Sequence, residues 1–199
     1  MKRFIHIPKN AGTSIRPWVH PMDHDDTKEK LPEYITKIGM DKHLPHSKLK
    51  PNSMFDSQFA IVRNPWARMV SLYHDKQHPH TEPMSFLTFI HKLKEFKYDG
   101  HWWCNPPHKC FAQQLDWISI NGKPMIDVLP FNNLQENLEE YLGHQVFLEH
   151  LNKGHSFTNY KSFYNKYSRE MVANHFIKDI EHFGFDFETE ATRNFWEKT

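Results

Sequence analysis

Lys9 stands one residue after a proline and three before a glycine, within Pro8-Lys9-Asn10-Ala11-Gly12-Thr13-Ser14. A mobile cation, small residues and two hydroxyls are the means by which a short turn holds an anion through charge and converging backbone N–H groups. When a strand feeds such a turn and a helix follows, unbonded N–H groups face the ligand at the positive end of the helix dipole. Gly12 is expected to let the backbone come close to the bound group. Phosphate or sulfate is the natural occupant. The lysine precedes the glycine, whereas the GxxxxGK[ST] loop of ATPases places it after the last glycine, so ATP hydrolysis loses its main support.

A second constellation has the same character. Arg63 closes the apolar run "FAIVR", and Ser71 follows eight residues later, about two turns into a helix that Asn64 can cap and Pro65 can start. Two anion-reading elements at two strand ends suggest one ligand with two separated anionic groups, bound at the carboxyl edge of a sheet. A nucleotide phosphorylated at both ends of its ribose suits. Arg68 in that helix reads as a structural ion pair, Trp66 as core, and His6 as a buried, satisfied histidine.

Histidine has the pKa that suits a general base. His43 and His46 in "DKHLPHSKL" are the candidates, with Glu29, Glu33 and Asp41 as alternatives. The remaining histidines are scattered without an HExxH signature, so no metal is expected. In "YDGHWWCNPPHKC", Trp102 and Trp103 can either stack on a flat acceptor or plug the sheet, and Gln114 is a possible polar contact to the acceptor. Cys104 and Cys110 fit neither a disulfide framework nor a zinc ribbon and read as free thiols in a reducing compartment.

The elements that position these residues follow from periodicity. "RFIHI" reads as a strand, with a helix from about Thr13; "FAIVR" is a second strand, and Trp66, Met69, Val70 and Tyr73 form the apolar stripe of the helix after it. "PMSFLTFIHKLK" and "FAQQLDWI" read as helices and "PMIDVL" as a short strand. "NLQENLEEYLG" carries Leu134, Leu138, Tyr141 and Leu142 at helical spacing and stops at Gly143. "SREMVANHFIKDIEHFG" offers Ser168 as N-cap and Gly184 as the stop. Residues 20 to 32 and 74 to 83 read as polar surface loops. Strands alternating with helices give an α/β domain with a mostly parallel sheet. The 199 residues are expected to form one domain, 1–199. A formal net charge of +1 supplies no global field for nucleic acid or an anionic membrane. With no long apolar run and no leader pattern, the expectation is a soluble cytoplasmic protein, or the soluble part of a membrane-anchored enzyme.

At these residues the sequence resembles a known family. "FIHIPKNAGTSI" with "FAIVRNPWARMVSLYH" is similar to the paired donor-binding motifs of sulfotransferases that use 3′-phosphoadenosine 5′-phosphosulfate, of the carbohydrate type, or family 2. "DVLPFNNLQENL" is similar to the family's third block, and "LEHLNKGHSFTNYKSFYNKYSREMVANHFIKDIEHFGFDF" to its C-terminal region. The likeness spans most of residues 4 to 187 and fades at 16 to 40 and 75 to 111. Where the family has Gly-Arg-Phe-Glu-Asn-Leu, this chain has "LPFNNL", so an arginine and a glutamate are replaced near Pro130 and Asn132, and Asn10 stands where threonine is commoner.

The resemblance implies a three-layer α/β/α fold of the P-loop NTPase-like kind. It implies that Pro8, Lys9, Asn10, Ala11, Gly12, Thr13 and Ser14 hold the 5′-phosphosulfate, that Arg63 and Ser71 hold the 3′-phosphate, and that Lys153, with Gly154 to Ser156, belongs to a loop over the donor. Lys9 would neutralise the departing oxygens. His43, in the position of a histidine that recurs in similar proteins, would be the base, with His46 second. The product would be 3′,5′-adenosine bisphosphate, the acceptor a glycan or small hydroxylated molecule, and no metal would be needed. The alternatives are a P-loop kinase or nucleotide hydrolase, and a nucleotide-binding protein that has lost its chemistry.

Overall fold

The computed structural model describes residues 2–15, 20–21, 38–41, 57–74, 84–95, 111–120, 123–148 and 159–188. The chain groups into two compact units, residues 1–62, 114–154 and 192–199 in the first and 63–113 and 155–191 in the second.

The first unit is built on a five-stranded, wholly parallel sheet. Its strands are β1 (Lys2–Ile5), β2 (His20–Pro21), β3 (Ile38–Asp41), β4 (Ser57–Val62) and β7 (Asp127–Pro130), in the order β2-β3-β1-β4-β7. A separate antiparallel pair joins β5 (Ser119–Ile120) to β6 (Lys123–Pro124). Parallel strands are stable when both faces are covered, and β1, β4 and β7 bury residues on both. Phe4, Phe59, Ile61 and Leu129 on one face pack with Ile15, Leu138, Tyr141 and Val146, while the alternating residues Ile5, Ala60, Val62 and Val128 are buried too. The Phe4 and Phe59 rings, register partners on β1 and β4, lie 5.2 Å apart, and Phe59 meets Tyr141 at 5.1 Å. Helix α1 (Gly12–Ile15) contributes Ile15 to this core, and a short helix, α4 (Gln114–Ile118), precedes β5. Helix α5 (Leu134–Leu142) contributes Leu138 and Tyr141 and ends, as its glycine signalled, with Gly143 in the left-handed region at φ 73°. The coarse expectation of a mixed α/β fold with a parallel sheet therefore stands. Two of its strands lie where the sequence signalled none: His20–Pro21 falls in a stretch expected to be loop, and Ile38–Asp41 is too short to show a period.

The second unit is helical and aromatic. It holds α2 (Pro65–Tyr73), α3 (Phe86–Glu95), a 3₁₀ turn (Tyr160–Phe163), α6 (Lys166–His175) and α7 (Ile177–Phe183). Ser168 is not the N-cap expected of it. Asn165 caps α6, and Ser168 closes a reciprocal capping box with it at the third helical position. The expected single C-terminal helix is two, divided at Phe176, whose N–H still bonds Val172 O at 2.9 Å. The stop at Gly184, φ 70°, is as expected. Phe86 and Tyr164 meet edge to face at 4.9 Å, and Trp66 and Tyr164 each do so with Phe187, at 5.6 and 5.5 Å. Among the described residues, no helix is long and apolar enough to cross a membrane.

A buried polar network ties residues 111–113 to the last two helices. The Arg68 guanidinium is fully buried, donates to Ala112 O at 3.1 Å and lies over the Phe176 ring. Burial pulls its pKa down to about 10, the Asp179 carboxylate opposes that shift, and the Arg63 charge adds to it. Gln113 donates to His175 O and accepts from the Asp179 N–H, and His175 Nε2 sits 2.7 Å from Phe111 O. Trp66, expected in the core, is 4% exposed, and Arg68, expected to form a structural ion pair, is fully buried with the Asp179 carboxylate acting on its charge.

Burial lowers the His175 pKa below the ordinary 6.5; the Phe111 hydrogen bond opposes this shift and the Arg68 charge reinforces it. The folded chain thus holds the ring neutral at pH values where the unfolded chain already binds a proton. This contribution is fully present above the unfolded pKa of about 6.5 and is lost as pH falls through the folded value. The melting temperature is therefore expected to fall more steeply between about pH 7 and pH 5 in the wild type than in His175→Gln, whose amide can still donate to Phe111 O. Parallel slopes in the two proteins would remove His175 from the explanation.

Candidate functional site

Two segments carry the residues singled out from the sequence, one in each unit. In the first, β1 stops at Ile5 and the chain turns at once: Ile7 N–H donates to Ile5 O at 3.1 Å, Asn10 N–H to Ile7 O at 3.2 Å, and Ile15 N–H to Ala11 O at 3.0 Å. Lys9 and Ala11 both have left-handed backbones, at φ 68° and 61°. Each costs roughly 1–2 kcal/mol for a residue with a Cβ, so the surroundings must impose it. A left-handed Ala11 followed by a helical Gly12 turns consecutive N–H groups toward one side, the arrangement that makes an anion-binding concavity. Lys9 and Ser14 are half-buried, Thr13 is exposed and Pro8 is buried.

Asn10 has a role that no local pattern announces. Its side chain is fully buried, and its amide nitrogen donates to Ile61 O at 2.7 Å and to Gln114 Oε1 at 2.6 Å. Gln114 is itself fully buried. Its Oε1 is used inside the protein rather than offered to an acceptor, and it stands 104 residues from Asn10 in sequence. Gly12 has a steric reason of its own to be glycine. Its φ is not in the left-handed region; instead, a Cβ there would fall 1.7 Å from His6 Nε2. His6 lies just beyond β1, half-buried, its ring stacked on Phe4 at 5.8 Å.

In the second unit, Arg63 is the half-buried residue before the cap of α2. Asn64 Oδ1 accepts from Trp66 N–H at 3.0 Å and Ala67 N–H at 3.3 Å, and Pro65 takes the first helical position. The other end of the same amide donates to Asp186 O at 2.8 Å and lies 3.4 Å from the Tyr160 hydroxyl, which in turn donates to Phe187 O at 2.7 Å. The cap was legible; its tether to a segment more than 100 residues away was not. Ser71 lies half-buried on α2. The Arg63 charge is close enough to Arg68 to lower its pKa, so this end of the helix carries two neighbouring cations.

Of the other residues singled out, Asp41 is the last residue of β3, in register with Ile5. His43, His46, Glu29, Glu33, Trp102, Trp103, Cys104, Cys110 and Lys153 lie outside the described residues. The second unit also holds an open cavity of about 350 Å³ lined by Leu93, Tyr167, Glu170, Met171, Asn174 and His175, none of them expected from the sequence. Among the described residues, no cluster of three or more His, Cys, Asp or Glu side chains could hold a metal ion.

No protein-family model matches the chain, and comparison with curated proteins and with solved structures gives no significant match.

The contact between Gly12 and His6 can be tested directly. Gly12→Ala is expected to destabilise the protein by about 1–3 kcal/mol, because the His6 ring must leave its stack on Phe4 to admit the methyl group. His6→Ala should recover much of that loss in the double variant. Chemical denaturation of the two singles and the double measures both effects, and a Gly12→Ala protein as stable as wild type would show that the ring moves without cost.

Proposed function

We propose that this chain is a sulfotransferase that moves a sulfuryl group from 3′-phosphoadenosine 5′-phosphosulfate to a hydroxyl of a glycan or small hydroxylated molecule, on a three-layer sheet of the P-loop-like kind. The observation that carries the reading is that β1 and β4 are adjacent and parallel, Ile5 pairing with Ala60. The segment with Lys9 follows the first strand, and Arg63 follows the second by one peptide bond. The strand order supports it further. From β1 the chain proceeds to β2 and β3 on one side of the sheet, and from β4 it proceeds to β7 on the other. The gap between β1 and β4 is thus a topological switch point, the place where parallel α/β sheets bind ligands beyond their carboxyl ends.

The roles follow from charge. Backbone N–H groups of residues 11 to 14 face the 5′-phosphate, since that of Asn10 is bonded to Ile7 O, and the Lys9 ammonium meets the charge that develops on the oxygen bridging phosphorus and sulfur. Arg63, with the neighbouring Arg68 charge strengthening the local field, and the Ser71 hydroxyl read the 3′-phosphate that separates this donor from ADP-like nucleotides. The acceptor oxygen attacks sulfur in line, the bond between sulfur and the bridging oxygen breaks, and that oxygen leaves with 3′,5′-adenosine bisphosphate. The acceptor proton passes to a base. His43 is assigned that role with His46 second; it lies two residues beyond Asp41, where β3, the other neighbour of β1, ends.

Mass-spectrometric detection of sulfated product from a panel of hydroxylated acceptors tests the proposal. The wild type is expected to transfer, and Lys9→Ala to lose about 10²–10³-fold in rate while still folding. A wild type that binds 3′,5′-adenosine bisphosphate yet sulfates no member of the panel would support a non-catalytic binding protein instead.

A further inference from the structure

We infer that Asn10 is the positioning residue for Lys9: its buried side-chain amide replaces the strand hydrogen bond missing beyond Ile5 and holds Lys9 and Ala11 in their left-handed conformations. The inference rests on the sulfotransferase reading for the role of Lys9, but the anchoring itself stands on geometry alone.

In a parallel ladder, the carbonyls of successive residues on one strand point alternately to its two neighbours. Val62 O accepts from Phe131 N–H at 2.9 Å, on the β7 side. The preceding carbonyl, Ile61 O, therefore faces the β1 side, where β1 has already ended at Ile5. A buried carbonyl left there would lack its partner. The Asn10 amide supplies one at 2.7 Å, and its second N–H reaches Gln114 Oε1 at 2.6 Å. Both donors of the group are thereby committed, which fixes the orientation of the amide as well as its position. Its Oδ1 is buried and takes no hydrogen bond among the described residues, so the side chain is held through its donors alone.

The residues on either side of this anchor are the two non-glycine positions of the loop with positive φ. A backbone fixed at residue 10, between two residues that would otherwise relax to right-handed or extended conformations, keeps the Lys9 side chain leaving the loop in one direction. A side chain with two donors on one nitrogen is what this place requires. Threonine has a single hydroxyl proton and cannot bond Ile61 O and Gln114 Oε1 together.

Hydrogen exchange and kinetics on the full chain test this together. Asn10→Ala is expected to speed exchange of the amides in residues 4–15 about tenfold or more and to leave residues 123–148 unchanged. Its turnover should fall about tenfold or more with the donor KM within about twofold, and in a Lys9→Ala background the same substitution should cost less than about twofold. Should Asn10→Ala fail to fold, Gln114→Leu keeps the Ile61 bond and is expected to show the same changes at about two- to fivefold. Unchanged exchange, a loosened loop with full turnover, or losses that multiply independently of Lys9→Ala would each overturn the inference. A wild type that forms no sulfated product defeats the transfer reading instead; faster exchange in Asn10→Ala then still supports the anchor, and unchanged exchange still overturns it.

Discussion

The parallel pairing of β1 with β4 is the constraint on which the rest of the first unit depends. Four register pairs, from Lys2 with Ser57 to Ile5 with Ala60, bring the two strands side by side. The pairing also packs Phe4 against Phe59, in the core that α1 and α5 cover. Because β1 is shorter than β4 at its carboxyl end, the chain must turn immediately while its neighbour runs on. The unequal lengths leave a carbonyl to be satisfied and a loop to be shaped, and the Asn10 amide does both. The strain at Lys9 and Ala11 persists because a fully buried group between them is bonded to two other parts of the unit.

The second unit solves a related problem with similar chemistry. The residues after β4 must start a helix at once, and an asparagine again does this. Asn64 caps α2 with its oxygen while its nitrogen reaches Asp186 O. Arg68, buried beneath, has its pKa pulled down to about 10 by burial, while the Asp179 carboxylate opposes that shift and Ala112 O accepts from its guanidinium. Asn64 acts through both ends of its amide and Asn10 through the two N–H donors of its own, as an apolar or singly functional side chain could not.

What was legible in the sequence was what is local. The Asn64-Pro65 start of α2, its apolar stripe, and the glycine stops at Gly143 and Gly184 could be read because cap, period and stop lie within one helix length. Strands β2 and β3 could not, because four residues such as "IGMD" acquire their conformation from pairing with β1 rather than from any pattern of their own. "FAQQLDWI" is broken after Phe111, and its helix to Ile118 starts at Gln114; Phe111, Ala112 and Gln113 bond His175, Arg68 and Asp179. At the candidate site, the types and spacing of Lys9, Gly12, Arg63 and Ser71 suggested an anion. The inward roles of Asn10 and Gln114 depend on a contact across 104 residues that nothing in either neighbourhood announces. Gly12 stood out for its place in the turn, and the His6 ring adds a steric need for glycine there that the spacing does not announce.

The central claim is that this chain reads two phosphates of one adenosine from the ends of two neighbouring strands. Calorimetric titration with 3′,5′-adenosine bisphosphate and with adenosine 5′-monophosphate tests it most directly. The bisphosphate should bind at least about tenfold more tightly than the monophosphate, and Arg63→Ala should erase that difference while leaving the monophosphate affinity nearly unchanged. Equal affinities for the two nucleotides in the wild type would contradict it.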